Sequence, residues 1–125
     1  MSALDGIAEE QPALARADLI SRLAAATGFD WDDAAGARAK VIEEMAEVDA
    51  ADGLHERTDE IGDLLFAVVN WARKLGIDPE AALRSANAKF ERRFKAMEAA
   101  DEKFSERSLD EQEALWQGAK ARERA

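Results

Sequence analysis

Apolar residues recur along this chain every three or four positions, the spacing that lays one stripe along an α-helix, and no segment shows the strict alternation of a half-buried strand. Glycine, proline and aspartate-rich breaks divide the pattern. Leu14, Leu19, Ile20, Leu23 and Ala24 follow Pro12, which suits a first helical position, and run to Gly28, a C-terminal stop. The turn Phe29-Asp30-Trp31-Asp32-Asp33 leads into a second helix from about Asp33 to Ala51, broken by Asp52-Gly53. A third helix, about His55 to Leu75, is the most apolar stretch and stops at Gly76. Asp78-Pro79-Glu80 gives an N-cap and a first-turn proline to a fourth helix reaching about Ala100. Ser108-Leu109-Asp110-Glu111 has capping-box spacing and opens a last short helix through Trp116. Residues 1–11 read as a flexible lead, residues 12–125 as one domain, and the final residues as fraying.

The expected architecture is an all-α helical bundle. The third helix is apolar over most of its circumference, which suits either a central position or a subunit interface. Four other short helices leave little to surround it within one copy, so the interface is favoured and a core completed by oligomerisation is expected.

Composition narrows the chemistry. The chain has 125 residues, 47% of them hydrophobic and 35% charged, enough for a single core with a large solvated surface. With no cysteine there is no disulfide framework, thiolate zinc site or cysteine nucleophile. One histidine, His55, leaves no room for a His-rich metal site, and its place at a helix start reads as ordinary surface. The carboxylate-bridged di-iron bundle needs an ExxH motif on each of two helices, and His55 lies in neither acidic motif. No apolar run is long enough to span a membrane, and the acidic N-terminus lacks a signal core, so a cytoplasmic protein is expected. The net charge of −10 argues against stable nucleic-acid or anionic-lipid binding. It leaves phosphate ligands open, because a cation held by carboxylates inverts the local field.

The acidic residues are not scattered evenly. On the second helix Val41, Met45 and Val48 form the apolar stripe; Glu44 falls within ~40° of Val48, Glu47 ~60° further round, and Glu43 furthest from the core. On the third helix Glu60 lies within ~40° of Leu64, with Asp63 ~60° away, and Glu56 and Asn70 on the same polar stripe. Each helix thus carries an acidic pair at the edge of its apolar surface, and the tight Asp52-Gly53 link makes the two helices antiparallel neighbours. A pair of carboxylates ~5 Å apart repels by roughly 3 kcal/mol at an effective dielectric of ~20. Convergence of four therefore calls for protonation or for a bridging hard cation, Mg²⁺ with Mn²⁺ able to substitute. Acidic pairs on helices are ordinarily solvated faces. What sets these apart is Glu60 and Asp63 in the most hydrophobic helix, where a merely solubilising charge is least expected.

On the fourth helix Leu83, Phe90, Phe94 and Met97 form the core stripe. Lys89 and Arg93 stand four apart on another face, where they either grip phosphate together or pair with surface acids. Lys40, one turn before Glu44, either touches phosphate or pairs with Glu44. Trp116 either caps the core or stacks against a nucleobase.

Taken in order, Gly28-Phe29-Asp30-Trp31, Glu43-Glu44-Met45-Ala46-Glu47, Asp59-Glu60-Ile61-Gly62-Asp63-Leu64-Leu65-Phe66, Asp78-Pro79-Glu80, Asn87-Ala88-Lys89-Phe90-Glu91-Arg92-Arg93-Phe94 and Leu115-Trp116 resemble the MazG family of nucleoside triphosphate pyrophosphohydrolases. The likeness runs from about Pro12 to Lys120. It implies hydrolysis of nucleoside triphosphates to the monophosphate and pyrophosphate, with Glu44, Glu47, Glu60 and Asp63 as magnesium ligands. It also implies nucleotide contacts along Lys40, Glu43 and Glu44, along Glu56 and Asp59, along Lys89, Arg92 and Arg93, and at Trp116. A homodimer or higher homo-oligomer is implied as well. Ser2 to Leu14 resembles the connector before the second domain of the two-domain members, so the chain reads as a single-domain version or as a C-terminal half. Glu43 and Glu56 stand as alternative acceptors of the attacking water's proton. Narrower relatives acting on dUTP, dCTP or phosphoribosyl-ATP, and a non-enzymatic helical interaction module, are the competing readings.

Overall fold

The computed structural model describes residues 1–124, and among them every regular element is helical. The order is α1 (Ala13–Ala25), α2 (Ala34–Ala50), α3 (Gly53–Lys74), α4 (Pro79–Ala100), a single 3₁₀ turn (Phe104–Glu106) and α5 (Leu109–Arg124). Residues 1–11 form no helix, and a turn at Ser2 is closed by the Asp5 carboxylate accepting from the Ser2 amide at 2.8 Å. The chain divides into two compact units, Met1–Ala82 and Leu83–Ala125.

Local chemistry sets most helix ends. Asp33 caps α2, its side chain accepting from the Gly36 amide at 2.9 Å. Asp78 accepts from the Glu80 and Ala81 amides at the start of α4. Ser108 and Glu111 complete the expected capping box reciprocally, at 3.0 and 3.2 Å. The end of α3 is closed by Gly76 at φ +77°, with the Ile77 amide donating back to the Ala72 carbonyl at 2.9 Å. Two details differ from the sequence expectation. Pro12 stands at the N-cap of α1, with extended ψ of 138°, rather than inside the helix. And α5 runs to Arg124 instead of ending near Trp116: Ala119 is buried and Glu123 is anchored by Arg92 and Arg93, which carries the helix past Gly118.

In the first unit α3 packs along α2 and, less extensively, α1. The buried residues include Ser21 on α1, Ala37, Val41 and Glu44 on α2, and Ala67, Val69 and Asn70 on α3. The inward stripe of α2 is thus Ala37, Val41, Glu44 and the half-buried Val48, and Met45, expected on it, lies at its flank and is 52% exposed. Small side chains let α2 and α3 approach along this line, and the rotation brings Glu44 inward. α3 leaves Ile61, Leu65 and Val68 exposed as a second stripe along one face.

In the second unit Met97 of α4 and Ala119 of α5 are buried, with an aromatic cluster around them. Phe90 stacks on Phe94 at 5.8 Å and meets Trp116 at 5.5 Å, while Phe94 meets Phe104 edge-on at 5.3 Å.

Candidate active site

The α2–α3 pairing brings one carboxylate from α2 and two from α3 together. One oxygen each from Glu44, Glu60 and Asp63 lie within 4.8 Å of one another. Their burial is graded: Glu44 is 8% exposed, Glu60 half-buried and Asp63 exposed. Glu44, the most deprived of water, is met by the Lys40 ammonium at 3.1 Å, which also reaches Glu43 at 3.4 Å. The hydrogen bond to Glu44 in turn holds the Lys40 ammonium above its ordinary pKa. Glu60 titrates above the usual glutamate range, first because water is withdrawn from it and then because Asp63, Glu47, Glu44 and Asp59 surround it with like charge. The site is therefore a concentration of negative charge relieved by a single lysine, and the donor set is all oxygen. That is what a hard divalent cation requires, so the residues fit one.

Glu47, expected as a fourth ligand, lies outside the trio; it is exposed, though close enough to raise Glu60. Its position follows from the α2 rotation: with Glu44 turned inward, Glu47 points ~60° further round. Asp59 is exposed, and its charge helps to raise Glu60. Glu56 accepts from the Asp52 amide at 2.9 Å and closes the start of α3.

Two of the trio, Glu44 and Asp63, line a cleft of about 640 Å³ in the first unit together with Lys40 and Glu43. Its other wall is Phe66, Ala67 and Asn70 of α3, and Gly28 to Trp31 form its rim. That rim is tied to the end of α3. Arg73 donates to both oxygens of Asp30, at 2.6 and 3.1 Å, and Lys74 adds a contact at 3.2 Å. The same Arg73 donates to the Asn70 side-chain oxygen, Oδ1, at 3.0 Å. The Arg73 hydrogen bond holds the Asp30 carboxyl far below the usual aspartate range. Sequence spacing offered no sign of this clasp, because its partners stand more than forty positions apart.

In the second unit Arg92 and Arg93 both pair with Glu123, at 2.9 and 2.8 Å, and the Arg93 guanidinium lies 5.4 Å over the Trp116 ring. Trp116 is half-buried and packs on Phe90. Lys89 is exposed, with no ion pair among the described residues.

Residues 35–98, half of the chain, match the profile of the MazG nucleotide pyrophosphohydrolase domain. The chain belongs to the MazG family. The matched span holds α2, α3 and nearly all of α4, hence all four expected carboxylates with Lys40, Lys89, Arg92 and Arg93, but neither the aromatic rim nor Trp116. Among MazG relatives, the chain is 42% identical over 113 residues to the nucleoside triphosphate pyrophosphohydrolase/pyrophosphatase MazG of Thermotoga maritima, covering 87% of this chain and 44% of that protein. It is 42% identical over 131 aligned positions to a nucleoside triphosphate pyrophosphohydrolase of Escherichia coli (strain K12), covering 98% of this chain and 50% of that protein. A 74-residue stretch is 45% identical to the uncharacterized protein YabN of Bacillus subtilis, covering 56% of this chain and 15% of that protein. The chain thus spans about half the length of the two pyrophosphohydrolases it matches.

Proposed function

We propose that this chain hydrolyses nucleoside triphosphates at the α–β phosphate bond, releasing the monophosphate and pyrophosphate, with Mg²⁺ as cofactor and a role in housekeeping of the cytoplasmic nucleotide pool. The observation that carries it is the meeting of Glu44, Glu60 and Asp63 beside Lys40 at the edge of an open cleft. Glu44, Glu60 and Asp63 would hold the cation, with Glu47 in support, and bound there it supplies charge neutralisation of the triphosphate and acidification of a water. Lys40, already drawn to this end of the cleft by Glu44, would donate to phosphate oxygens there. Glu43 faces the cleft while Glu56 is engaged as a helix cap, which favours Glu43 as the acceptor of the attacking water's proton. Lys89, Arg92, Arg93 and Trp116 are assigned to the nucleotide on the strength of the family resemblance. The uncovered Ile61, Leu65 and Val68 stripe supports assembly with a second copy.

The deciding experiment is a panel of ribo- and deoxyribonucleoside triphosphates with Mg²⁺, scored for pyrophosphate against orthophosphate. Pyrophosphate with monophosphate is expected. Orthophosphate with diphosphate, or no turnover of any nucleotide, would overturn the proposal.

A further inference from the structure

The cleft has an end that the carboxylates do not occupy. On α3, Asn70 stands two turns beyond Asp63, ~10 Å along the axis and ~20° round it. Its side chain belongs to the cleft wall and the residue is only 3% exposed. The chemistry of its neighbours fixes the amide's orientation. Arg73 can only donate, so it meets Oδ1, and the Phe66 carbonyl can only accept, so it meets Nδ2, at 3.2 Å. One amide N–H and one lone pair of Oδ1 remain without a partner among the described residues. Each polar atom of the amide thus has one partner and room for one more.

The rim beside Asn70 is held in an unusual way. Gly28 turns the chain at φ +102°, a conformation open to glycine and strained for other residues. Asp30 is clasped by Arg73 and Lys74. Trp31 rests against the start of α2, so closely that a Cβ added at Gly36 would stand 3.2 Å from the indole. Phe29, between the Gly28 turn and the clasped Asp30, is 83% exposed and yet borders the cleft. An apolar ring held out in water on a fixed support is a surface prepared for contact.

We propose that Phe29 and Asn70 form the nucleoside end of the site, on the pyrophosphohydrolase reading given above. Phe29 offers the nucleobase a stacking face. Asn70, with one donor and one acceptor unspent, complements a sugar hydroxyl, which both donates and accepts. Asp30 and Arg73 are positioning residues: they fix the rim and the amide and touch no substrate.

The test titrates the 125-residue chain, in Mg²⁺, with an α,β-imido nucleoside triphosphate and with inorganic triphosphate, following tryptophan fluorescence. Phe29→Ala should weaken the nucleotide analogue about tenfold, the scale of one base–aromatic stack. Asn70→Ala should weaken it about fivefold, the scale of one neutral hydrogen bond. Neither should alter inorganic triphosphate, and in turnover KM should rise while kcat holds. Wild type should also prefer ribo- or deoxyribonucleotide analogues over the 2′,3′-dideoxy form, and Asn70→Ala should lose that preference; the ribo/deoxy pair tells the 2′ from the 3′ hydroxyl. Parallel loss of inorganic triphosphate, or dideoxy discrimination retained in Asn70→Ala, overturns the assignment. A change in sedimentation of Phe29→Ala would make the ring a contact between copies instead. Because Phe29 is exposed, its variant stands whatever Asn70→Ala does to folding. A wild-type chain that binds inorganic triphosphate but gains nothing from a nucleoside refutes this inference alone, whereas one that binds neither sinks the underlying reading as well.

Discussion

The clasp between the rim and α3 allows a quantitative prediction. Asp30→Ala removes both hydrogen bonds that Arg73 makes to the carboxylate and leaves a guanidinium that is only 9% exposed with Asn70 as its remaining partner. Asp30 and Lys74 are 20% and 18% exposed, so water screens part of the pair. The cost lies between the ~0.5 kcal/mol of an exposed ion pair and the ~3–5 kcal/mol of breaking a fully buried one, about 2 kcal/mol. For a chain of this size that lowers Tm by about 8 °C. The pH dependence follows from the depressed titration of Asp30. As pH falls the unfolded chain takes up the proton first, near ~3.9, so the clasp contributes fully above that value and is lost below it. Thermal unfolding of wild type and Asp30→Ala should therefore differ by a constant amount from about pH 5 to 8 and converge as pH drops below ~3.9. A double-mutant cycle with Arg73→Met should return most of the loss as coupling. A deficit no larger than that of an exposed pair, or a gap that persists at low pH, would refute the reasoning.

Other outcomes follow from the same geometry. Mg²⁺ at a hundredfold excess over its Kd should stabilise the wild type by about 2.7 kcal/mol, and Glu60→Gln or Asp63→Asn should lose both that gain and pyrophosphate release, with helicity retained by circular dichroism. Because Glu60 titrates high among its acidic neighbours, protons compete with the cation there, so the Mg²⁺-induced Tm rise should shrink as pH falls. Glu47→Gln, outside the trio, should reduce kcat/KM less than Glu60→Gln does; an equal or larger loss would put Glu47 among the ligands. Gly76→Ala forces a side chain into a left-handed conformation at the end of α3 and should cost about 1 kcal/mol by chemical denaturation.

Much of the frame was legible in the chain. Asp78 and the Ser108–Glu111 box act as caps where their spacing said they would, because capping is a matter of three or four consecutive residues. The acidic pairs were legible for the same reason: helical periodicity alone puts Glu44 and Glu47, or Glu60 and Asp63, on one side of a helix. The extent of α5 was not, since Glu123 is anchored by Arg92 and Arg93 from another helix.

What sequence by itself determined, then, is everything that depends on near neighbours: helices, their ends, and which side of each carries acid. Which members of those acidic sides meet was settled only by how α2 turns against α3, with Ala37, Val41 and Glu44 buried on one side and Ala67, Val69 and Asn70 on the other, and Met45 and Glu47 left outside. The joining of Asp30 to Arg73 and of Arg73 to Asn70 belongs to the same level. A charge in one turn finds its partner on a distant helix only after packing has excluded the water that would otherwise serve both.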